Sequence, residues 1–290
     1  MTSISDYDIG GLLGKGGFAS VYKSRSRKTG EEVAIKIISQ SKKPVAANEI
    51  AIHSQCRHSN IIQFRNSFED EDNIYLILDC CRINLFKYLK SQTQVLSEFS
   101  AGFVIKQILQ AVQYLHAQGI IHRDIKLSNI LIQEVIGAEE ESGRERIHVV
   151  LCDFGLAIQL SHPDEEHFTL CGTPNYIPPE MAKQSSYSFP ADLWAAGCLF
   201  YSLITGTPPF DQAGKIPTNF NLFCLSTNSS HYLALLSQGP ESLQATLRSI
   251  VHGSFNVPIE ISSQALSFLN CLLHLVSTVS LKHLPHLHAN

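Results

Sequence analysis

The alternation of apolar and polar positions divides the chain into a strand-rich beginning and a helical remainder. Residues 33–38 (VAIKII) and 74–78 (IYLIL) form short apolar runs between polar turns, which predicts β-strands over the first 80 residues. From about residue 84 the apolar positions recur at helical spacing. The pattern predicts an α+β chain with a small strand-rich lobe, about 1–80, and a larger helical lobe, about 84–290.

Two stretches of the second part predict individual helices. Between residues 101 and 118 one helical face carries six apolar residues: Phe103, Ile105, Ile108, Leu109, Val112 and Leu115. Ser97 is a suitable N-cap for this helix and Gly119 a suitable stop. The apolar stretch 193–204 is much shorter than the roughly 20 residues that span a bilayer. A buried helix is therefore predicted there.

Two segments interrupt this order. Residues 133–146 are charged and lie between apolar runs, which predicts a solvated hairpin loop. Residues 213–240 are rich in Ser, Asn and Leu without a clear period, and their removal would join residue 212 directly to a helical pattern at 241–247. We interpret 213–240 as an insertion, either retained intron sequence or a lineage-specific loop. If every transcript carried the segment, the intron would be excluded.

Composition narrows the class of protein. The 290 residues are 44% hydrophobic and 17% charged with a formal net charge of -4, which is typical of a globular protein. No basic excess indicates nucleic-acid or membrane partners. The eight cysteines lack CxxC spacing, so reduced thiols in a cytoplasmic protein are expected. The first residues show no apolar leader, so no signal peptide is expected.

The first candidate site is a glycine-rich hairpin between two strand patterns. It consists of Leu13, Gly14, Lys15, Gly16, Gly17, Phe18, Ala19, Ser20 and Val21. Glycines let a backbone approach phosphate groups closely and present N–H groups to them. A plain glycine-rich hairpin fits the pattern equally well. The absence of GxxxxGK[ST] argues against a Walker-type nucleotide hydrolase.

A lysine in an apolar strand is the second candidate. Burying Lys36 unpaired would be costly, and Glu49 is a carboxylate partner within reach on a following helix. The alternative is an edge-strand lysine that faces water.

The third candidate is the loop at residues 122–129 (HRDIKLSN), followed by residues 153–155 (DFG). Asp124 can accept a hydroxyl proton, Lys126 can stabilise a phosphate, and Asn129 can bind Mg²⁺ through its amide oxygen. Asp153, after a short apolar strand, is a second Mg²⁺ ligand. Each aspartate alone would also suit a turn or a helix cap.

The order of these motifs resembles the eukaryotic protein kinase family. A glycine loop, strand lysine, helix glutamate, HRD…N, DFG and residues 178–180 (PPE) occur in the kinase order. The resemblance implies that residues 1–290 form a two-lobed α+β kinase fold. It further implies ATP in the cleft under the glycine loop, Mg²⁺ as cofactor, and proteins with Ser or Thr as substrates.

The resemblance also implies roles for single residues. Residues 14–21 would cover the phosphates, and Lys36, paired with Glu49, would bind the α- and β-phosphates. Asp124 would be the catalytic base and Lys126 a γ-phosphate contact.

Further roles follow from the same resemblance. Asn129 and Asp153 would hold Mg²⁺. Asp79 and Cys81 would bind adenine through the backbone, beside Leu78. Asp192 would brace the catalytic loop.

The resemblance also implies which side-chain hydroxyls the chain phosphorylates and how its activity is regulated. Lys126 and Thr173 are typical of Ser/Thr kinases rather than Tyr kinases. Thr169 lies between DFG and PPE, where its phosphate would pair with Arg123 and order the loop. Arg123 has no other obvious partner in the sequence. An unmodified, solvated Thr169 is the alternative.

Within the family, the chain is most similar to polo-like kinases of the centriole-duplication (Sak) type. Ala19 in the glycine loop and residues 168–176 (FTLCGTPNY) carry this similarity, whereas Lys126 stands where that subfamily often has Thr. The similarity implies a cell-cycle role at the centriole or centrosome. It also implies self-association for trans-autophosphorylation, and polo-box modules in a longer protein.

Two departures from the family pattern leave alternatives open. Lys36 and Glu49 are only 13 positions apart, which predicts a shortened helix and puts their pairing in question. After Gly197 the only arginine is Arg248, so the expected late partner of Glu180 is missing, as if a short piece near residues 272–278 were lost. A pseudokinase or scaffold is therefore the rival hypothesis. A catalytic fragment of a polo-box protein is a third.

Overall fold

The structure is a computed structural model that describes residues 2–17, 19–92, 95–136, 145–162, 165–211, 222–225, 241–253, 255–257 and 260–273. Phe18 of the glycine loop lies outside these ranges. So do most of the segment 213–240 and the end of the chain from residue 274.

The first lobe is an antiparallel sheet with one helix. Its five strands lie in the order β1-β2-β3-β5-β4. Their bounds are Tyr7–Lys15 (β1), Ala19–Ser26 (β2), Glu32–Ser39 (β3), Phe64–Glu69 (β4) and Asn73–Asp79 (β5). Helix α1, Lys43–His53, lies between β3 and β4 in the chain. Both predicted strand patterns, 33–38 and 74–78, fall within strands of this sheet.

The second lobe is mainly helical, with short strands near the cleft. Its helices are Leu85–Gln92 (α2), Glu98–Ala117 (α3), Pro179–Ala182 (α4), Pro190–Thr205 (α5), Glu241–His252 (α6) and Ser263–Leu273 (α7). Its strands are Ile83–Asn84 (β6), Ile120–Ile121 (β7), Ile130–Ile136 (β8), Arg146–Leu151 (β9), Ile158–Gln159 (β10), Leu170–Gly172 (β11) and Leu222–Leu225 (β12). The α+β organisation expected from the sequence is confirmed.

Capping residues and apolar side chains explain the two long helices. Helix α3 begins after Ser97, whose side chain accepts a hydrogen bond from the Ser100 N–H, and Gly119 follows its end at φ +73°. Helix α5 is buried along almost its whole length, including Trp194. Both helices pack into the main apolar core of the second lobe. No helix among the described residues is long and apolar enough to cross a membrane.

The predicted loop 133–146 is partly wrong. Strand β8 continues to Ile136 and β9 already begins at Arg146, because the two pair antiparallel with Ile136 opposite Arg146. Cross-strand hydrogen bonds thus extend the hairpin into a charged stretch that composition alone assigns to solvent. Residues 137–144 lie outside the described part of the chain.

Glu180, in the first turn of α4, is a half-buried carboxylate. Burial raises its pKa above the ordinary value, and none of the described cations forms an ion pair with it. Arg248 on α6 is exposed to solvent. The charge of Glu180 is therefore poorly compensated at neutral pH.

We expect Glu180→Gln to raise the melting temperature at pH 7 by about 2–4 °C, the shift that 1 kcal/mol produces in a domain of this size. Because the folded-state pKa lies above the unfolded one, the ionised group disfavours folding at neutral pH. This cost fades as the pH falls through the folded-state pKa, so the gain should disappear in acid. Calorimetry at both pH values measures it.

The matched control is Glu134→Gln, on the exposed part of β8, which should leave the melting temperature unchanged. An unchanged or lower melting temperature for Glu180→Gln at pH 7 would contradict the interpretation of Glu180 as a destabilising charge.

Candidate active site

Lys36 lies between two carboxylates in the cleft between the lobes. Its Nζ is 2.6 Å from Oε1 of Glu49 on α1 and 2.8 Å from Oδ1 of Asp153, which follows β9. The side chains of Lys36 and Glu49 are 11% and 2% exposed, whereas that of Asp153 is 43% exposed. The two lobes are thus linked by one buried cation.

The electrostatics favour the ionised forms of Lys36 and Asp153. Burial acts to lower the pKa of Lys36, but the charges of Asp153 and Glu49 outweigh it and raise the pKa above its usual range. For Asp153, burial acts to raise the pKa, and the nearby Lys36 ammonium lowers it well below its usual range. The strong burial of Glu49 raises its pKa. Lys36 is therefore a permanent positive charge at the cleft.

The short spacing between Lys36 and Glu49 does not prevent their contact. A 3-10 turn, Gln40–Lys42, follows β3 directly, and α1 begins at Lys43 with a proline in its first turn. The helix has 11 residues, and Glu49 and His53 both face the interior. A shortened connection thus places the carboxylate correctly without the missing turn.

Asp192 on α5 holds the loop at residues 122–129 in place through hydrogen bonds. Its carboxylate accepts hydrogen bonds of 2.9 Å from the backbone N–H groups of His122 and Arg123, and its Oδ2 lies 2.9 Å from Nε2 of His116. Arg123 has φ +67°, a conformation that costs energy for a non-glycine residue. The carboxylate of Asp192 satisfies the N–H groups that this turn directs inward.

Asp124 is the centre of a buried hydrogen-bond network. Its Oδ2 is 2.8 Å from Lys126 Nζ, and its Oδ1 accepts a bond of 3.0 Å from the Thr173 hydroxyl. Lys126 Nζ also donates to Thr173 Oγ1 at 2.8 Å, and Asn129 Nδ2 donates to Asp124 Oδ2 at 2.9 Å. Burial raises the pKa of Asp124, and the Lys126 charge opposes that effect. A carboxylate so placed and so tuned suits proton acceptance.

The residues predicted to hold Mg²⁺ are neighbours. The Cys152 N–H donates to the Asn129 carbonyl at 2.9 Å, which brings Asn129 beside Asp153. Because the Asn129 nitrogen bonds Asp124, its amide oxygen is the atom suited to a cation. Among the described residues no cluster of three or more His, Cys, Asp or Glu forms a metal site. Two protein oxygens suit a Mg²⁺ ion that also binds phosphate groups.

An apolar surface lies where the resemblance expects adenine. Partly buried side chains from both lobes pack there against one core: Leu13, Ala19, Val21, Cys81, Leu131 and Cys152. Leu78, also named for this position, is buried in the same core. The Asp79 side chain instead pairs with Arg65 at 2.5 Å, and its backbone N–H donates to the Gln63 carbonyl at 3.1 Å, so neither group is available to a ligand.

The glycine hairpin connects β1 and β2. The Gly16 N–H donates to the Ala19 carbonyl at 2.9 Å, and Lys15 pairs with Ser20 across the strands. A Cβ added at Gly14 would meet no protein atom within 4 Å. No described neighbour requires a glycine at that position, so the open space suits a ligand that approaches the backbone.

The expectation that Arg123 lacks a partner is wrong. Its Nε donates to the Leu156 carbonyl at 2.7 Å and its Nη1 to the Tyr187 hydroxyl at 2.8 Å. Tyr187 in turn donates to the Thr169 carbonyl at 2.9 Å. These residues are far apart in the sequence, so the contacts could not be predicted from it. The contacts connect Arg123 to the backbone of Thr169.

Several residues of the site were not identified from the sequence. Leu131 and Cys152 line the apolar surface, and their positions within two residues of Asn129 and Asp153 could have indicated this. His53 stacks on Phe154 of the DFG motif with ring centroids 4.4 Å apart. Burial lowers the pKa of His53 to about 4, so the ring is neutral at physiological pH. No sequence pattern indicates that stack.

Comparison with known proteins identifies sequences that are similar to this chain. A profile described as "Protein kinase domain" matches residues 7–279. The chain is 35% identical to serine/threonine-protein kinase PLK4 of Drosophila simulans over 293 aligned residues, which cover 98% of this chain and 32% of the relative.

Relatives named PLK4 from other animals match equally well. The one from Aedes aegypti is 36% identical over 93% of this chain and 31% of its own length. The one from Nematostella vectensis is 35% identical over 93% of this chain and 24% of its own length. The chain thus spans about a third or less of these relatives. The resemblance drawn from the motifs is confirmed.

Proposed function

The chain belongs to the protein kinase family, and from this we propose that it transfers the γ-phosphate of ATP to Ser and Thr hydroxyls of proteins. The observation that carries the proposal is the buried network around Asp124. A carboxylate, a lysine, a threonine hydroxyl and an asparagine amide meet there within 2.8–3.0 Å. Ionisable groups that are held this close and carry a shifted pKa cluster at functional sites.

The chain's own residues supply the chemistry of transfer. The substrate hydroxyl oxygen attacks the γ-phosphorus as its proton passes to the Asp124 carboxylate, and the bond between the γ-phosphorus and the bridging oxygen breaks. Lys126 and Lys36 stabilise negative charge on the phosphate groups. Thr173 orients Asp124 and Lys126 through its bonds to both. Mg²⁺, when held by Asn129 and Asp153, neutralises phosphate charge.

The finer assignments are also proposals. Residues 1–290 form one catalytic domain, with 213–240 as an insertion. On the basis of similarity to PLK4 relatives, we assign the chain a polo-like role in the cell cycle at the centriole or centrosome of the cytoplasm. Leu13 to Val21, with Lys36, Asp79 and Cys81, bind ATP.

Phosphoamino-acid analysis tests the acceptor class. The purified chain is incubated with γ-labelled ATP, Mg²⁺ and dephosphorylated β-casein, and the labelled protein is hydrolysed. We expect label on Ser and Thr. Label on Tyr alone would overturn the assignment.

A pseudokinase is the second candidate, favoured by the poorly compensated charge of Glu180. It would bind ATP without transferring phosphate. A thermal shift with ATP and Mg²⁺, combined with the transfer assay, distinguishes the two. Stabilisation by nucleotide with no label in β-casein would support the pseudokinase.

Phosphorylation of Thr169 is proposed to activate the chain. A phosphate there would attract Arg123, which the Tyr187 hydroxyl already links to the Thr169 backbone. We expect Thr169→Ala to lower kcat roughly tenfold, about the effect of losing one charge-assisted hydrogen bond. Steady-state kinetics of ATP-treated chains measure the effect.

Thr169→Ser is the matched control, because it keeps a hydroxyl that can be phosphorylated and should retain most of the activity. Full activity of Thr169→Ala, where mass spectrometry finds the wild-type residue phosphorylated, would contradict the role. For phosphorylation between copies, the initial rate should rise with the square of chain concentration. A first-order rate would exclude self-association as its route.

A further inference from the structure

A strand from the segment 213–240 pairs with the segment between DFG and PPE. Strands β11 and β12 form a two-stranded antiparallel sheet, with Leu170 opposite Leu225 and Gly172 opposite Leu222. Within the described residues, β11 pairs with no strand other than β12. Residues 222–225 of the segment that we interpret as an insertion thus occupy a backbone edge next to the catalytic loop.

Contacts with Tyr187 and with the backbone of Arg123 hold β11 in place. The Tyr187 hydroxyl donates to the Thr169 carbonyl just before the strand begins. Gly172 has φ +100°, and a Cβ at that position would lie 2.8 Å from the Arg123 carbonyl oxygen. The backbone of β11 therefore packs directly on the catalytic loop, and its remaining edge faces β12.

The edge of β11 lies close to the carboxylate of Asp124. Thr173 follows β11 directly and donates to Asp124 Oδ1 at 3.0 Å. Leu222, at the beginning of β12, is opposite the residue that precedes Thr173. The β11 edge therefore lies beside the carboxylate to which a substrate polypeptide would present its hydroxyl.

We propose that the edge of β11 binds the extended backbone of a protein substrate and that β12 fills the edge in cis as a competitor. The inference rests on the proposed function, because it assigns a binding surface to the substrate of that reaction. Strand addition gives affinity through main-chain hydrogen bonds and requires little of the side chains. One edge can therefore accept both β12 and an unrelated substrate segment.

The pairing is weak enough to be displaced. A two-stranded ribbon is marginally stable by itself in water, and β11 and β12 have three and four residues. Substrate then binds only the fraction of chains in which the edge is open, which raises its apparent dissociation constant by the inverse of that fraction. Strand β12 thus competes with the substrate for this edge and weakens substrate binding.

Disrupting β12 without touching the catalytic groups tests the proposal. In the double variant Phe223→Pro/Cys224→Pro, adjacent prolines remove two N–H groups and cannot continue a paired strand. If the edge is open in about a fifth of the wild-type chains, the KM of this variant for dephosphorylated β-casein should fall about fivefold. We expect kcat and the KM for ATP to stay unchanged. Deletion of residues 213–240 should have the same effect.

The matched control is Ser229→Pro/Ser230→Pro, which places two adjacent prolines in the same segment but outside β12. It should retain the wild-type KM. A double variant in β12 whose KM for β-casein equals that of wild type would overturn the proposal. So would an equal decrease in the control, because the effect would then not depend on the strand.

A binding measurement separates this inference from the proposed function. Fluorescent β-casein is titrated against the same variants made in an Asp124→Asn background, which removes the base without altering β12. Binding about fivefold tighter to the β12 variant supports the edge even if no chain transfers phosphate, in which case only the proposed function fails. Transfer by the wild-type chain with equal binding to both variants overturns the inference alone.

Discussion

Asp124→Asn is expected to lower kcat for phosphate transfer by about a thousandfold, within the range that general base catalysis contributes. Asn keeps the shape of the side chain and can still meet Lys126 and Thr173, which contact Asp124 at 2.8 and 3.0 Å. It cannot accept the proton of the substrate hydroxyl. Steady-state kinetics with saturating ATP and Mg²⁺ measure the loss.

The fold should tolerate this change. Burial raises the pKa of Asp124, so its surroundings do not favour the ionised group at neutral pH. The amide oxygen of Asn can still accept a hydrogen bond from the buried Lys126 ammonium, which lies 2.8 Å from Asp124. As a control, the Asp124→Asn chain should keep a melting temperature and an ATP affinity close to those of wild type. A kcat within tenfold of wild type in a folded Asp124→Asn chain would show that another group takes the proton.

Lys36→Met is expected to lower both activity and stability. Removing the cation leaves Glu49 buried without its partner at 2.6 Å, and breaking a buried ion pair in this way costs about 3–5 kcal/mol of unfolding free energy. Asp153 loses its contact too, but its side chain is 43% exposed and water can replace part of it. Chemical denaturation measures the stability, and the transfer assay measures the activity.

The double variant Lys36→Met/Glu49→Gln separates the two effects. Gln carries no charge, so the double variant should recover part of the lost stability without recovering activity. A Lys36→Met chain as stable as wild type would contradict a buried ion pair between the lobes. A double variant no more stable than Lys36→Met would show that the unpaired carboxylate of Glu49 is not the cause.

Local patterns were sufficient for much of the fold. The strand with Lys36 and the helix after Ser97 were predictable because alternation, capping and glycine stops act over a few neighbouring residues. The order of the motifs was sufficient to place Asp124 and Asp153 in one cleft. Each of these signals lies within a short stretch of chain.

The remaining features depend on contacts between distant parts of the chain. Thr173 meets Asp124 across 49 positions, and Arg123 meets Tyr187 across 64, so neither bond leaves a local trace. The pairing of β12 with β11 could not be foreseen either, because the composition of 213–240 indicates no strand. Only the folded chain brings these groups together.

The shortened α1 illustrates a limit of spacing arguments. The distance of 13 positions between Lys36 and Glu49 favoured a misplaced carboxylate, yet the contact is made. A turn between strand and helix can take up a missing helical turn, because only the final position of the carboxylate matters for the pair.

The central claim is that this chain catalyses phosphate transfer from ATP. The most direct measurement is the rate at which the purified 290-residue chain moves label from γ-labelled ATP, with Mg²⁺, to dephosphorylated β-casein, beside its Asp124→Asn variant. We predict steady transfer by the wild-type chain and almost none by the variant. No transfer by a wild-type chain that melts cooperatively and is stabilised by ATP would contradict the claim.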